Sequence, residues 1–304
     1  MNILNKNDNS QEQYFQTNYE SLWKAIIRPP REKYNESELG NKIFYYSNKK
    51  IIRTDYNILV TNRNIIKSSF FQITNSNEEK LSLPVIIYLH GNCSSRLEGL
   101  YLLPFLINLN INLFVYDFAG CGLSDGEYIS LGFHEKNDLK IIINFLEKNP
   151  HVKKIGLWGH SMGAATSLIY APLDNRIKCV CSDSSFSEFF ELAKELAKKK
   201  INFPDVILNG VLKVLKNTIK NKNNMDISEI NPLDGVKKIN VPVFFVHAMK
   251  DQLINLEHCL KLYENCSVEE DKKFILICEG DHNSIRPKYI IEKICNFFNS
   301  YLNN

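Results

Sequence analysis

No two of the eight cysteines form a CxxC pair. Cys93, Cys121, Cys179, Cys181, Cys259, Cys266, Cys278 and Cys295 are scattered, most of them inside apolar runs. That spacing excludes a zinc ribbon and a disulfide framework, and predicts reduced thiols packed in a core. The excess of positive charge is only +3, with no run of arginine and lysine interleaved with aromatics, so no nucleic-acid partner is expected. The most apolar span, Leu100 to Phe118, is interrupted by Pro104 and three asparagines. It falls short of the roughly 20 apolar residues that cross a bilayer. The opening stretch, MNILNKNDNSQEQYFQTNY, lacks an apolar core, and Asn2 stands where N-myristoylation needs glycine. Neither a secretory leader nor that lipid anchor is expected, and the chain reads as cytoplasmic. No internal repeat is visible. A nucleotide-binding reading fails on residues: no glycine loop ends in lysine followed by Ser or Thr, and GCGLSDG lacks the third glycine of the dinucleotide spacing.

What is present suits a globular protein. The 304 residues, 44% hydrophobic and 23% charged, can build a sizeable core in one or two domains at about 150 residues each. Residues 1 to about 40 are polar, with one amphipathic piece at Tyr19 to Ile27 ending at Pro29-Pro30, and read as an N-terminal arm lying on the domain formed by 41–304. Two alternating stretches, Lys50 to Val60 and Ser68 to Thr74, predict antiparallel edge strands. Six continuous apolar runs follow, at Val85–Leu89, Leu113–Tyr116, Lys154–Trp158, Cys179–Cys181, Val243–Val246 and Phe274–Cys278. Helical patterns lie between them, at Leu97–Ile107, Glu135–Leu146, Met162–Tyr170, Leu256–Glu264 and Lys288–Tyr301. This alternation predicts an α/β fold, with a mostly parallel central sheet and helices on both faces.

The long interval before Val243 breaks the rhythm. It carries helical patterns at Ser187–Lys199 and Asp205–Ile219 and reads as a small helical cap inserted at about 186–239. The second pattern gathers Ile207, Leu208, Leu212, Leu215 and Ile219 on one face, with Lys213, Lys216 and Lys220 elsewhere. Its polar tail, KNTIKNKNNMD, predicts a mobile segment, and the lysines predict a solvated face that would also suit peripheral contact with anionic lipid.

Ligands of such sheets gather at the carboxyl ends of the strands, so the residues after each run carry the chemistry. In IGLWGHSMGAATS, residues 155–167, a strand turns abruptly into a helix at Ser161. The corner residue is forced into a strained conformation and its neighbours two residues away must be tiny, a place filled by Gly159 and Gly163. Ser161 is then exposed above the sheet at a helix N-terminus, where free N–H groups favour developing negative charge. A serine hydroxyl needs a base, and the base needs an acid. His282, after the last strand, is the candidate base; Asp251, after the preceding one, is the candidate acid, with Asp183 as its rival. The backbone N–H of Met162 and that of Asn92, in the loop after Val85–Leu89, are the candidate oxyanion donors. His160 and His90 read as groups that pack and orient loops, and Asp117 with its GCG turn as a loop former.

The segments YLHGN, DFAGCGLSDGEY, GHSMGA, FFVHAMKDQLI and GDHNSIRP together resemble the α/β-hydrolase superfamily over roughly Arg53 to Phe298. Within it the resemblance is to serine-aminopeptidase-like eukaryotic hydrolases of largely unassigned substrate. It implies the α/β-hydrolase fold, a Ser161, Asp251, His282 triad, and Asn92 with Met162 as oxyanion donors. The function expected is a serine hydrolase acting on a carboxylic ester or thioester, with no cofactor and no metal. The cap's apolar face suggests a lipid-like acyl group in the pocket. A peptidase acting at a free N-terminus would need a carboxylate for the amine, for which Glu188 and Glu191 are the candidates. A catalytically silent binding scaffold is the remaining alternative.

Overall fold

Chain segments that are apolar without interruption have to be covered on both faces, and the chain does this with one twisted sheet. The computed structural model describes residues 20–75, 79–200 and 205–304. Among these, nine strands pair in one sheet: β1 Ile43–Tyr46, β2 Lys49–Leu59, β3 Ile65–Thr74, β4 Leu83–Leu89, β5 Asn112–Tyr116, β6 Val152–His160, β7 Ile177–Asp183, β8 Val243–Ala248 and β9 Lys273–Cys278. Their order is β1-β2-β3-β5-β4-β6-β7-β8-β9. β1, β2, β3 and β5 pair antiparallel, and every pairing from β5 through β4 to β9 is parallel.

The helices are α1 at 20–27, α2 Leu103–Asn108, α3 Glu135–Glu147, α4 Met162–Tyr170, α5 Phe189–Lys200, α6 Asp205–Asn223, α7 Pro232–Val236, α8 Leu256–Glu264 and α9 Lys288–Leu302. Strand side chains alternate between two apolar layers. Ile86, Tyr88, Leu113 and Val115 meet α2 and α9 on one face. Val85, Ile87, Phe114 and Tyr116 meet α3, α4 and α8 on the other. The runs read from the sequence are all strands of this sheet. β1 was not among them, because its four residues, IFYY, are mostly exposed and show no buried period.

The excursion between β7 and β8 differs from its sequence reading in one respect. The segment KNTIKNKNNMD is not a mobile tail: α6 runs on to Asn223, and Ile219, Met225 and Ile227 are fully buried. Asn223 Nδ2 donates to Ile129 O at 3.0 Å, and Lys216 pairs with Asp226 at 2.9 Å. Apolar residues spaced among the lysines anchor what composition alone reads as loose. Leu208, Leu212, Leu215 and Ile219 lie in the same apolar layer as α3 and α4; the side chain of Ile207 is outside the described ones. α1 buries Trp23 and Ile27 in this layer, with Ile129 N donating to Ile27 O at 2.8 Å. The first 19 residues of the expected arm lie outside the described ones. No helix among the described residues is long and apolar enough to cross a membrane.

If α6 is part of the core, Ile219→Ala should cost about 2–5 kcal/mol in a urea melt followed by circular dichroism. A loss under about 1 kcal/mol would mean that this helix does not carry core packing.

Candidate active site

The corner after β6 is the first element of the site. Ser161 has φ 52° and ψ −111°, a left-handed backbone that a non-glycine residue rarely adopts. A Cβ on Gly159 would stand 2.3 Å from the backbone of Gly163, and one on Gly163 would stand 2.0 Å from Leu89 O. Only hydrogen fits at either place, so α4 packs directly on β4 and β6. Ser161 N donates to Asp183 O at 2.8 Å and Ser161 O accepts from Ala165 N at 3.0 Å, which holds the corner at both ends.

His282 reaches this serine from the loop after β9. Its Nε2 is 2.9 Å from Ser161 Oγ, and its Nδ1 is 2.6 Å from Asp251 Oδ2. The carboxylate fixes the tautomer: Nδ1–H donates to Asp251, leaving the Nε2 lone pair for the serine hydroxyl. Asp251 is buried, and burial raises a carboxyl pKa; the hydrogen bond and charge of His282 and the N–H of Ile254 outweigh it and hold Asp251 below its ordinary value. Its other oxygen accepts from Leu253 N at 2.9 Å and Ile254 N at 2.8 Å. The N-cap of α8 is Asn255, four residues on.

Asp183, the rival acid, is engaged elsewhere. Both of its oxygens take Arg286 Nε, at 3.0 and 2.9 Å, and Arg286 Nη2 adds a third contact at 2.8 Å. Arg286 also donates to the carbonyls of Asp281, His282 and Ser284. One buried guanidinium thus ties the loop of His282 to the end of β7.

Met162 opens α4 directly after the serine. Asn92 lies in the loop after β4, where Gly91 N is spent on Glu98 Oε2 at 3.1 Å and so is not free for a ligand. Among the described residues neither Met162 N–H nor Asn92 N–H donates to a protein acceptor. His90 is a loop former: Phe118 N donates to its Nε2 at 3.0 Å, so Nδ1 carries the proton and donates to Gly91 O at 2.7 Å. Asp117 likewise accepts from Arg96 N, Leu123 N and Tyr34 OH.

A cleft of about 900 Å³ opens over Ser161, with His160, His282 and Asn92 on its walls. Among the described residues none of α5 or α6 lines it. The expected peptidase carboxylates are spent as well, since Glu188 and Glu191 both bind Lys261 at 2.8 Å. No group of three or more His, Cys, Asp or Glu side chains placed to hold a metal occurs among the described residues.

The fold matches known proteins. A family described as alpha/beta hydrolase fold matches residues 84–225, a span that ends before both Asp251 and His282. The Pyrococcus furiosus esterase Pf2001 superposes with a TM-score of 0.66 at 24% identity, covering 90% of this chain and 98% of that one. The chain has the α/β-hydrolase fold. Among curated relatives, the uncharacterized protein YqkD of Bacillus subtilis is 30% identical over 201 residues, 65% of this chain and 64% of its own length. The uncharacterized protein YfhR of Escherichia coli O157:H7 is 25% identical over 203 residues, 66% and 63% of the two lengths. The chain spans just under two thirds of these relatives. These matches reach the α/β-hydrolase fold and not the narrower serine-aminopeptidase-like, eukaryotic grouping.

Within this α/β-hydrolase fold one ionic couple had no sequence signal. His160 Nδ1 is 2.8 Å from Glu98 Oε1, and its Nε2 is 3.0 Å from His282 O. Both nitrogens face acceptors, so both donate and the ring is an imidazolium. Burial works against that charge; Glu98 overcomes it and raises the His160 pKa to about 9. Burial would raise Glu98, and His160 overcomes that too, down to about 2. A histidine raised from its ordinary value contributes stability that is complete below about 6.5 and lost as pH rises through about 9. The thermal midpoint should therefore fall between neutral pH and above about 9, and Glu98→Gln should flatten that fall. Equal slopes in the two proteins would contradict a charged couple.

Proposed function

We propose that the protein is a serine hydrolase that cleaves a carboxylic ester or thioester through an acyl-enzyme on Ser161. The reading is carried by one observation: a single imidazole, His282, meets the Ser161 hydroxyl with one nitrogen and a buried carboxylate with the other. Ser161 Oγ attacks the carbonyl carbon while its proton passes to His282 Nε2, and the carbonyl π electrons move onto oxygen. Asp251 stays ionised and supports the imidazolium. The N–H groups of Met162 and Asn92 receive the oxyanion, each contributing about 3 kcal/mol to the barrier. Collapse of the intermediate breaks the ester bond, and the leaving alkoxide or thiolate takes the proton from His282 Nε2. Water then attacks the acyl-enzyme as His282 accepts its proton, and Ser161 leaves with that proton restored.

The cleft offers both polar and apolar contacts to a substrate. Its walls carry Asn92, His160, Asn283 and Arg286 beside Leu97, Tyr101 and Ile285. The apolar face of the proposed cap, from which a lipid-like substrate was expected, is consumed in the core. Of the cap lysines, Lys216 pairs with Asp226, while Lys213 and Lys220 are exposed, as a face for peripheral contact with anionic lipid requires. Unpaired cysteines, all buried but Cys93, fit a reducing, cytoplasmic setting. The esterase of Pyrococcus furiosus, alike in fold, is consistent with ester cleavage.

A fluorophosphonate probe should label the protein and fail to label Ser161→Ala; equal labelling of both would favour a silent scaffold. With short p-nitrophenyl esters, Asp251→Asn should lower kcat by up to about 10⁴-fold. Asp183→Asn should act mainly on stability, by releasing Arg286. The reverse pattern would reassign the acid.

A further inference from the structure

The mechanism calls for two groups that stand on different loops, Asn92 N–H after β4 and His282 after β9. Between those loops lies Glu98, on a short helical turn at Arg96–Leu102, and no step of the mechanism uses it. Its carboxylate takes donors from three elements. Gly91 N, next to Asn92, donates to Oε2 at 3.1 Å. Tyr88 OH, on β4, and His160 Nδ1, at the end of β6, donate to Oε1 at 2.9 and 2.8 Å. The loop backbone lies against this pair, since a methyl group on Gly91 would stand 3.0 Å from His160 Nδ1.

His160 carries the link onward. Its Nε2 donates to His282 O at 3.0 Å, closer than the second donor to that carbonyl, Arg286 Nη2 at 3.3 Å. One carboxylate therefore reaches the oxyanion loop through one hydrogen bond and the base loop through two. The second path needs a donor at each nitrogen of His160, and only the protonated ring has both. The charged and titratable side chains that face the ring are Glu98 from the turn, Asp183 from the end of β7, and Arg286 and His282 from the loop after β9. Tyr88 and His90 act on it through Glu98. Burial opposes the ring's charge, Glu98 and Asp183 favour it and Arg286 opposes it, with the balance raising its pKa to about 9.

We infer that Glu98 is a positioning residue for the reaction at Ser161: through Gly91 and His160 it sets the oxyanion donor and the general base against each other. It acts on the chemical step and not on substrate binding. The inference rests on the hydrolase reading, which gives Asn92 N–H and His282 their roles. The hold is one of hydrogen bonds, so a glutamine at this place keeps it without charge. The glutamine oxygen accepts from Gly91 N, and its amide group donates to Tyr88 OH and to Nδ1 of a neutral His160, whose Nε2–H still meets His282 O. An alanine breaks it.

The test is steady-state kinetics with short p-nitrophenyl esters, each protein confirmed as folded by circular dichroism. At neutral pH Glu98→Ala should lower kcat by about tenfold to a hundredfold and move KM by less than about threefold, while Glu98→Gln should recover kcat to within about threefold of the unmodified protein. The pH profile separates this from a loss of stability. A neutral His160 between two acceptors serves only one of them, so kcat of the unmodified protein should fall as pH rises through about 9, well below the thermal midpoint. Glu98→Gln should lack that fall, a comparison that stands even if Glu98→Ala does not fold. An unchanged kcat in Glu98→Ala, a loss confined to KM, a Glu98→Gln variant as impaired as Glu98→Ala, or the same alkaline profile in Glu98→Gln and the unmodified protein overturns the inference. The His282 Nδ1 proton reads the hold without turnover: its magnetic resonance should be sharp in the unmodified protein and in Glu98→Gln, and broaden in Glu98→Ala. An equally sharp signal in Glu98→Ala would mean that Arg286 alone holds the loop. Esters cleaved equally by Ser161→Ala would defeat the hydrolase reading, while the proton signal would still decide whether Glu98 holds His282.

Discussion

The corner at Ser161 is the constraint on which the rest of the structure depends. A left-handed, non-glycine backbone costs on the order of 1–3 kcal/mol, and it persists only where its surroundings leave no alternative. Here β6 runs between β4 and β7, and α4 lies so close that a methyl group on Gly163 would overlap Leu89 O. The strain is offset by a strand buried from Ile155 to Gly159 and a helix buried along nearly all its length. Because the helix begins at the residue after the serine, the side chain and the free N–H of Met162 are delivered to one point. Relaxing the corner would move the two groups apart.

Everything else at the site is a loop that must be brought to that point and kept there. Loops have no ladder to fix them, so the chain uses buried charges. Arg286 gathers three carbonyls of the His282 loop and fastens them to Asp183. The His160 imidazolium holds His282 O from the other side and is itself paired with Glu98. Asp251 is set by two backbone N–H groups of its own turn before it meets His282. Beside it the turn before α5 meets α8 through Ser187 and His258 at 2.8 Å, and Lys199 of α5 reaches Gln252 O at 3.0 Å. Removing one partner of a buried pair leaves an uncompensated charge, which is why such pairs fix geometry more surely than they add stability.

Much of this architecture is legible in the chain because it repeats a simple pattern. Six apolar runs separated by amphipathic ones leave little choice but a parallel sheet, and a glycine-flanked serine after one run marks the corner. The sequence reading takes Asp251 as the acid with Asp183 as its rival, since both follow strands; what sets Asp183 aside was not legible. It depends on Arg286, whose partner lies 103 positions away in the chain. Glu98 had no motif to announce it, because its role comes from His160, which faces it. The amphipathic face of α6 was legible and its destination was not: hydrophobic period tells that a helix buries one side, and only the fold tells whether the other side of that contact is core or ligand.

The account's central claim is that His282 joins Ser161 and Asp251 into one hydrogen-bonded unit. Proton NMR at low temperature tests it most directly. The His282 Nδ1 proton, held in a 2.6 Å bond to a buried carboxylate, should resonate far downfield of the amide envelope. That signal should vanish in His282→Gln, shift upfield in Asp251→Asn, and stay in place in Asp183→Asn. A spectrum without it, or one unchanged by Asp251→Asn, would contradict the account.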